Sequence, residues 1–213
     1  MAEKKRNPRF VTAPGELIYP WLVKPDTKYN SAGEYKAGIK LPEDTEMFDA
    51  KTGESQGRLS DYLNGAIEDS VAMFGEENNG KKKKGKVIEV TEAEDAPFYV
   101  DEGSLFVKFK LKAYVEPNSG DPFTQSPMLF DAKKKPFKPK SVWNGSVARI
   151  AFEVIPYYNP KDTAAGVTLR LKAAQIIELS TGGGASGDDY GFGEEDGFDA
   201  GSDDYEEDDG RPV

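Results

Sequence analysis

The residues that could do chemistry stand out in Leu105 to Val115, LFVKFKLKAYV. The stretch alternates strictly, so Leu105, Val107, Phe109, Leu111, Ala113 and Val115 face one way and Phe106, Lys108, Lys110, Lys112 and Tyr114 face the other. The first set makes an ordinary core face. The second stacks three like charges along one side of a strand between two aromatic rings. Such a row repels itself unless something negative lies across it. A nucleic-acid backbone would supply that charge, and the rings would offer stacking platforms to its bases. A solvated lysine face shielded by two rings would look the same within this stretch alone.

Other chemistry is closed off by composition. With no cysteine and no histidine among 213 residues, there is no thiolate site, no disulfide and no imidazole base or ligand. Carboxylate pairs for a divalent metal are conceivable only where acids cluster in loops, as at Glu92, Glu94 and Asp95, or near the end of the sequence. We therefore expect neither an enzyme nor a cofactor. No apolar run approaches 18 residues and the charged start MAEKKRNPRF leads into no apolar segment, so neither a membrane span nor a secretory signal is expected. The expectation is a soluble intracellular protein.

The formal charge of −10 hides two halves. Residues 188–213 carry twelve Asp/Glu and one Arg, a net of −11, which leaves 27 basic against 26 acidic residues in the remainder. An acidic pI is thus no argument against nucleic-acid binding.

Further basic faces recur along the chain. Tyr35, Ala37, Ile39 and Leu41 alternate with a polar face carrying Lys36 and Lys40. Ser146 to Tyr157 reads as a long strand with Ala148, Ile150, Phe152 and Val154 on one side and Arg149, Glu153 and Tyr157 on the other, followed by Tyr158. The last strand, Gly166 to Leu179, places Arg170 and Lys172 outward. Leu17 to Val23 is apolar but interrupted by Pro20, which points to an edge strand or a bulge. Between Asp131 and Trp143, DAKKKPFKPKSVW sets Lys133, Lys134, Lys135, Lys138 and Lys140 around Phe137, two prolines and Trp143. Prolines keep such a segment extended and out of a ladder; the lysines on both sides of Phe137 predict it at the surface, with Trp143 open between core and surface. Asn78 to Lys86, NNGKKKKGK, reads as a flexible basic loop.

One segment changes period. Leu59, Tyr62, Leu63, Ala66, Ile67, Ser70, Val71 and Phe74 recur at three- and four-residue spacing, an amphipathic helix of about four turns that Gly75 would cap. The fold expected is mainly β: a five-stranded Greek-key barrel of the OB type with one inserted α-helix and extra short strands. Residues 1–15 read as a flexible basic arm, 16–182 as the binding domain, and 183–213 as a disordered acidic tail. Within that tail, Asp188, Asp189, Asp203, Asp204, Glu206, Glu207, Asp208 and Asp209 surround Phe192, Phe198 and Tyr205. It could cover the basic surface when no nucleic acid is bound, since a short linker holds it at an effective concentration in the mM range. A non-enzymatic viral structural protein, or an acidic DNA-mimic-like partner protein, is the competing reading.

Four features carry a family resemblance: VKPD at Val23 to Asp26 before the YKAGIKLP strand; the single helix; FVKFKLKAYV at Phe106 to Val115; and VIPYYNPKDTAAGVTLRLKAAQIIELSTGGG from Val154 to Gly184 ahead of an acidic tail. In these the chain resembles the single-stranded-DNA-binding proteins of tailed-phage replication systems, the kind encoded by short-tailed lytic phages. The resemblance implies an OB-fold protein that coats single-stranded DNA with little sequence preference in the cytoplasm of an infected bacterium. It also implies a homodimer and a tail that contacts the replicative DNA polymerase and helicase-primase. Some relatives end in an aromatic residue, whereas this sequence ends Arg211-Pro212-Val213, so Phe198 or Tyr205 takes that role or the partner contact differs.

Overall fold

Alternating apolar positions make this chain a sheet protein. The computed structural model describes residues 7–83, 85–117 and 119–180. Its first strands are β1 (Arg9–Thr12), β2 (Gly15–Asp26), β3 (Glu34–Pro42), β4 (Glu46–Asp49) and β5 (Ser55–Arg58). Helix α1 (Leu59–Asn78) follows, then the short β6 (Lys82–Lys83), β7 (Lys86–Val87) and β8 (Thr91–Glu92). The chain continues through β9 (Phe98–Asp101), β10 (Ser104–Lys112), β11 (Tyr114–Val115), β12 (Phe123–Thr124) and β13 (Met128–Phe130). Two long strands, β14 (Val147–Asn159) and β15 (Ala164–Glu178), complete it.

The main sheet has eleven strands, with the path β13-β15-β10-β3-β2-β14-β1-β4-β5, β8 on β15, β9 on β10, and a further pairing of β14 with β15. It is mixed: β15 runs parallel to β10, β13 and β8. This corrects the expected five-stranded Greek-key barrel, because the sheet is not closed into one. Closure would need continuous ladders between β10 and β15 and between β2 and β14, and neither exists. Strand β9 occupies the edge of β10 from Ser104 to Val107, leaving β15 a single paired position, Lys110 with Arg170. On β2 only Gly15 and Glu16 pair with β14, because the turn before β14 takes over the neighbouring backbone: Leu17 N–H donates to the Ser146 carbonyl at 2.8 Å and Tyr19 N–H to Asn144 Oδ1 at 2.6 Å. Spacing of apolar residues marks strands but cannot register these distant competitors.

The inward faces meet as expected. Leu17, Ile39, Leu105, Phe109, Ile150, Phe152, Leu169 and Leu171 are all but fully buried, with the rings of Phe109 and Phe152 at 5.1 Å. Burial of this kind contributes about 1.5–3 kcal/mol per large side chain. The alternation in Arg9-Phe10-Val11-Thr12 places Phe10 and Thr12 in that core, so part of the expected basic arm is a strand paired with both β14 and β4.

Helix α1 runs 20 residues, longer than expected. Leu59 N–H donates to the Thr45 carbonyl at 2.9 Å, Asp61 sits favourably in the first turn, and the helix continues through Gly75 to a cap at Asn79. It packs on β14 and β15 with Leu63 and Ile67 buried, and Ser70 Oγ donates to the Gly166 carbonyl at 2.8 Å. Strand β10 stops at Lys112. Ala113 N–H turns to the Gly33 carbonyl, and β11 pairs with β12 in a separate two-stranded sheet. The expected loop at Lys81–Lys86 contains a second small hairpin, β6 with β7, whose Lys83 Nζ donates to the Pro160 carbonyl. Among the described residues no helix is long and apolar enough to cross a membrane.

Candidate nucleic-acid interface

Register across the sheet lines up the basic residues. Trp21 stands opposite Lys36, Lys36 opposite Lys110, Lys110 beside Arg170, Arg170 opposite Glu153, and Glu153 opposite Arg9. Directly opposed residues share a sheet face, so these six form one row across six strands, perpendicular to the chain direction. Five steps of about 4.8 Å make it about 24 Å long.

The first half of the row floors an open groove of about 1080 Å³. Lys36, Lys108 and Lys110 line it with Tyr19, Trp21, Tyr29, Tyr99, Phe106 and Tyr157; Glu34 and Asp95 are its acids. The alternation of β10 explains why charge and ring sit side by side. The rings of Phe106 and Tyr99 stack at 4.9 Å and 5°, with Lys40 Nζ 5.7 Å from the Phe106 centroid and Lys108 Nζ 5.8 Å from that of Tyr99. Cation–π attraction of about 0.5–1 kcal/mol at exposed sites thus offsets part of the repulsion the lysine row would otherwise suffer. Lys36 also pairs with the buried Asp26. Its hydrogen bond, and then that from Lys28 N–H, hold the Asp26 carboxyl below its ordinary pKa against the opposing effect of burial. Burial, and then the Asp95 charge, push the Tyr157 phenol above its ordinary pKa.

The second half of the row is differently built. Glu153 is buried, with Arg170 at 3.5 Å and Arg9 and Lys172 each at 3.7 Å. The three cations are partly exposed above it. They keep donors free, because a guanidinium offers five and an ammonium three.

The remaining expected site residues scatter. Lys112 is exposed on β10, opposite Glu34. Tyr114 leaves the lysine face with β11, its hydroxyl donating to Glu116 Oε1 at 3.1 Å. Arg149 turns toward β1 and β4: its Nε donates to the Thr12 carbonyl at 3.0 Å and its guanidinium lies 5.6 Å from the Phe48 ring centre. Tyr158 stacks on Phe74 of α1 at 5.7 Å rather than facing the groove. Lys133, Lys134, Lys135, Lys138 and Lys140 are exposed on a loop that the Asp131 carboxylate organises, accepting from Lys133 N–H and Lys135 N–H. Gln175 holds that loop to β15 by donating to the Ala132 carbonyl at 3.1 Å. Phe137 is partly buried against the core, not on the surface, because an isolated bridge from Phe130 to Pro136 turns the loop back over the sheet. Trp143 is half-buried. The tail residues from Asp188 to Asp209 lie outside the described residues.

Four groove aromatics were missed from sequence: Tyr19, Trp21, Tyr29 and Tyr99. The outward phase of Phe98-Tyr99-Val100 beside β10 could have found Tyr99; nothing local distinguishes Tyr29, which sits in a polar loop and is 86% exposed. Among the described residues, no group of three or more acids is placed to hold a metal ion.

Residues 15–179 match the family described as single-stranded DNA-binding protein, bacteriophage T7. A single-stranded DNA-binding protein of Enterobacteria phage T3 is 26% identical over 190 residues, covering 84% of this chain and 79% of that protein. The crystal structure of gp2.5, a single-stranded DNA-binding protein encoded by bacteriophage T7, superposes with a TM-score of 0.66 at 24% identity, covering 85% of this chain and 95% of that one. A looser likeness, with a TM-score of 0.47 at 13% identity, is to the single-stranded DNA-binding protein of bacteriophage Enc34 in complex with ssDNA, over 84% of this chain and 94% of that one. With most of its length matched, the chain belongs to the T7-type family of single-stranded DNA-binding proteins, whose work is binding rather than catalysis.

Proposed function

We propose that this protein coats and protects single-stranded DNA with little sequence preference during phage DNA replication and recombination, in the cytoplasm of the infected bacterium. The observation that carries the reading is the transverse row Trp21–Lys36–Lys110–Arg170 beside a groove walled by aromatic rings. Phosphates meet the cations and bases stack on the rings, a combination that tolerates any sequence because every base has a π-face. Residues 16–182 serve as the binding module. Phosphate contacts extend from Lys36, Lys40, Lys108, Lys110 and Lys112 to Arg170, Lys172 and the Lys133–Lys140 loop, and bases stack on Phe106 and Tyr157.

The acidic segment 183–213 competes with DNA for this surface and, when displaced, recruits the replicative DNA polymerase and helicase-primase; the protein acts as a homodimer. What supports the tail's role is charge: a block of −11 within residues 188–213 shares a chain with the basic row. Deleting residues 188–213 is the test. The reading expects tighter single-strand binding and weaker capture of polymerase and helicase-primase. Loss of DNA binding on deletion would favour the alternative, in which the tail itself is the working part.

A further inference from the structure

Tyr19 is held in a conformation that its own side chain does not favour. It lies within β2 at φ +47°, a left-handed backbone that disfavours any residue with a Cβ, and it precedes Pro20, which further restricts it. The ladder shows why. Ile18 pairs with Gly38 and Trp21 with Lys36, so Tyr19 and Pro20 together oppose the one residue Ala37. This is a bulge of the kind whose left-handed position is ordinarily glycine. Pro20 brings no N–H that the interrupted ladder would strand. Across the ladder, Gly38 lets the strands close: a Cβ there would lie 3.0 Å from the Ile18 carbonyl oxygen.

The bulge is fastened from the other side. The turn at Trp143–Ser146 donates Gly145 N–H to the Leu17 carbonyl at 3.1 Å and accepts Leu17 N–H at Ser146. Asn144 Oδ1 then accepts Tyr19 N–H at 2.6 Å, replacing the ladder bond that the bulge removes. The fold gains little from the ring so placed, which is 74% exposed on the wall of the groove. Strain kept at an exposed aromatic on a binding surface is strain serving the surface.

We infer that Tyr19 is a nucleobase-stacking platform, aimed into the groove by the bulge and held there by Asn144 as a positioning residue. The inference rests on the single-strand reading above and adds the residue pair that would carry one base. Stacking of a base on an aromatic side chain accounts for about 1–3 kcal/mol, a loss of about 5- to 150-fold in affinity on removing the ring.

The test is anisotropy titration of a labelled oligo-dT against the full chain and its variants over a range of salt. Tyr19→Ala and Tyr19→Gly should each weaken binding about 5- to 150-fold. The slope of log K against log salt should stay unchanged, because no phosphate contact is lost. Tyr19→Phe should stay within about twofold of the parent, the scatter expected where no contact changes. Asn144→Ala should weaken binding less than Tyr19→Ala, and the double variant should match Tyr19→Ala alone. Tyr19→Gly should melt above Tyr19→Ala because it relieves the left-handed strain, so lost binding cannot be put down to a damaged fold. Unchanged affinity in Tyr19→Gly, or Tyr19→Phe falling as far as Tyr19→Ala, would overturn the inference. If the parent itself shows no preference for single strands over duplex, the single-strand reading fails, and this inference with it.

Discussion

Replacing Glu153 by glutamine should separate stability from affinity, because this carboxylate lies beneath cations that the proposed reading assigns to DNA. Its side chain is 11% exposed, while those of Arg9, Arg170 and Lys172 are 52%, 43% and 30% exposed at 3.5–3.7 Å. Pairs so open to water contribute about 0–1 kcal/mol each. Removing all three together should therefore lower stability by about 1–2 kcal/mol, or about 2–8 °C in melting temperature for a chain of this size. Affinity should move the other way. Glu153→Gln raises the local charge by one unit, freeing cations for one or two more phosphates. Each added contact to a single strand steepens the salt slope by about 0.7, so the change in slope should be about 0.7–1.4 and the gain greatest at low salt. Thermal melting and fluorescence titration at four or five salt concentrations would measure both. Weaker binding with an unchanged or shallower slope, in a variant that still folds, would refute the placing of Arg170 and Lys172 on the DNA track.

On β10, Lys108→Glu with Lys110→Glu should leave the melting temperature nearly unchanged and make the salt slope shallower by about 1.4, the share of two phosphate contacts. Phe109→Ala, one position away and facing the core, should do the reverse, costing about 3–5 kcal/mol of stability by leaving a cavity against Phe152. The Asp26–Lys36 pair makes a pH prediction. Its folded-state pKa lies below 3.8, so its stabilisation is present above that value and is lost as pH falls through the lowered one. Asp26→Asn should accordingly flatten the acid limb of the stability curve below about pH 4, and a limb identical to that of the parent would show that the pair contributes nothing.

What the sequence disclosed was decided locally, and what it hid was decided by distant pairing. The alternation of Leu105 to Lys112 fixes which lysines face outward, and the structure keeps Phe106, Lys108 and Lys110 on the groove. The same alternation carried on to Tyr114, yet the strand breaks at Ala113 because Gly33 and Gln125 bond its backbone. Pro20 announced a bulge or an edge; it is a bulge, in a stretch of β2 that ladders with β3 and lies beyond the two residues that pair with β14. Whether Tyr157 or Tyr158 enters the groove depends on where α1 packs, since Phe74 draws Tyr158 away. Phe137 was misjudged for a similar reason: flanking lysines speak for solvent, but the bridge from Pro136 to Phe130 folds the ring inward. The barrel failed as an expectation because β9 and the Asn144 turn occupy the edges that closure needed.

On the proposed function, a row of cations beside aromatic walls receives a single strand. The most direct measurement is a fluorescence titration of the full chain with oligo-dT and with duplex of equal length, each repeated across a range of salt. Tighter binding to the single strand, with log K falling linearly in log salt, is the predicted result. Equal binding to duplex, or an affinity indifferent to salt, would contradict the claim.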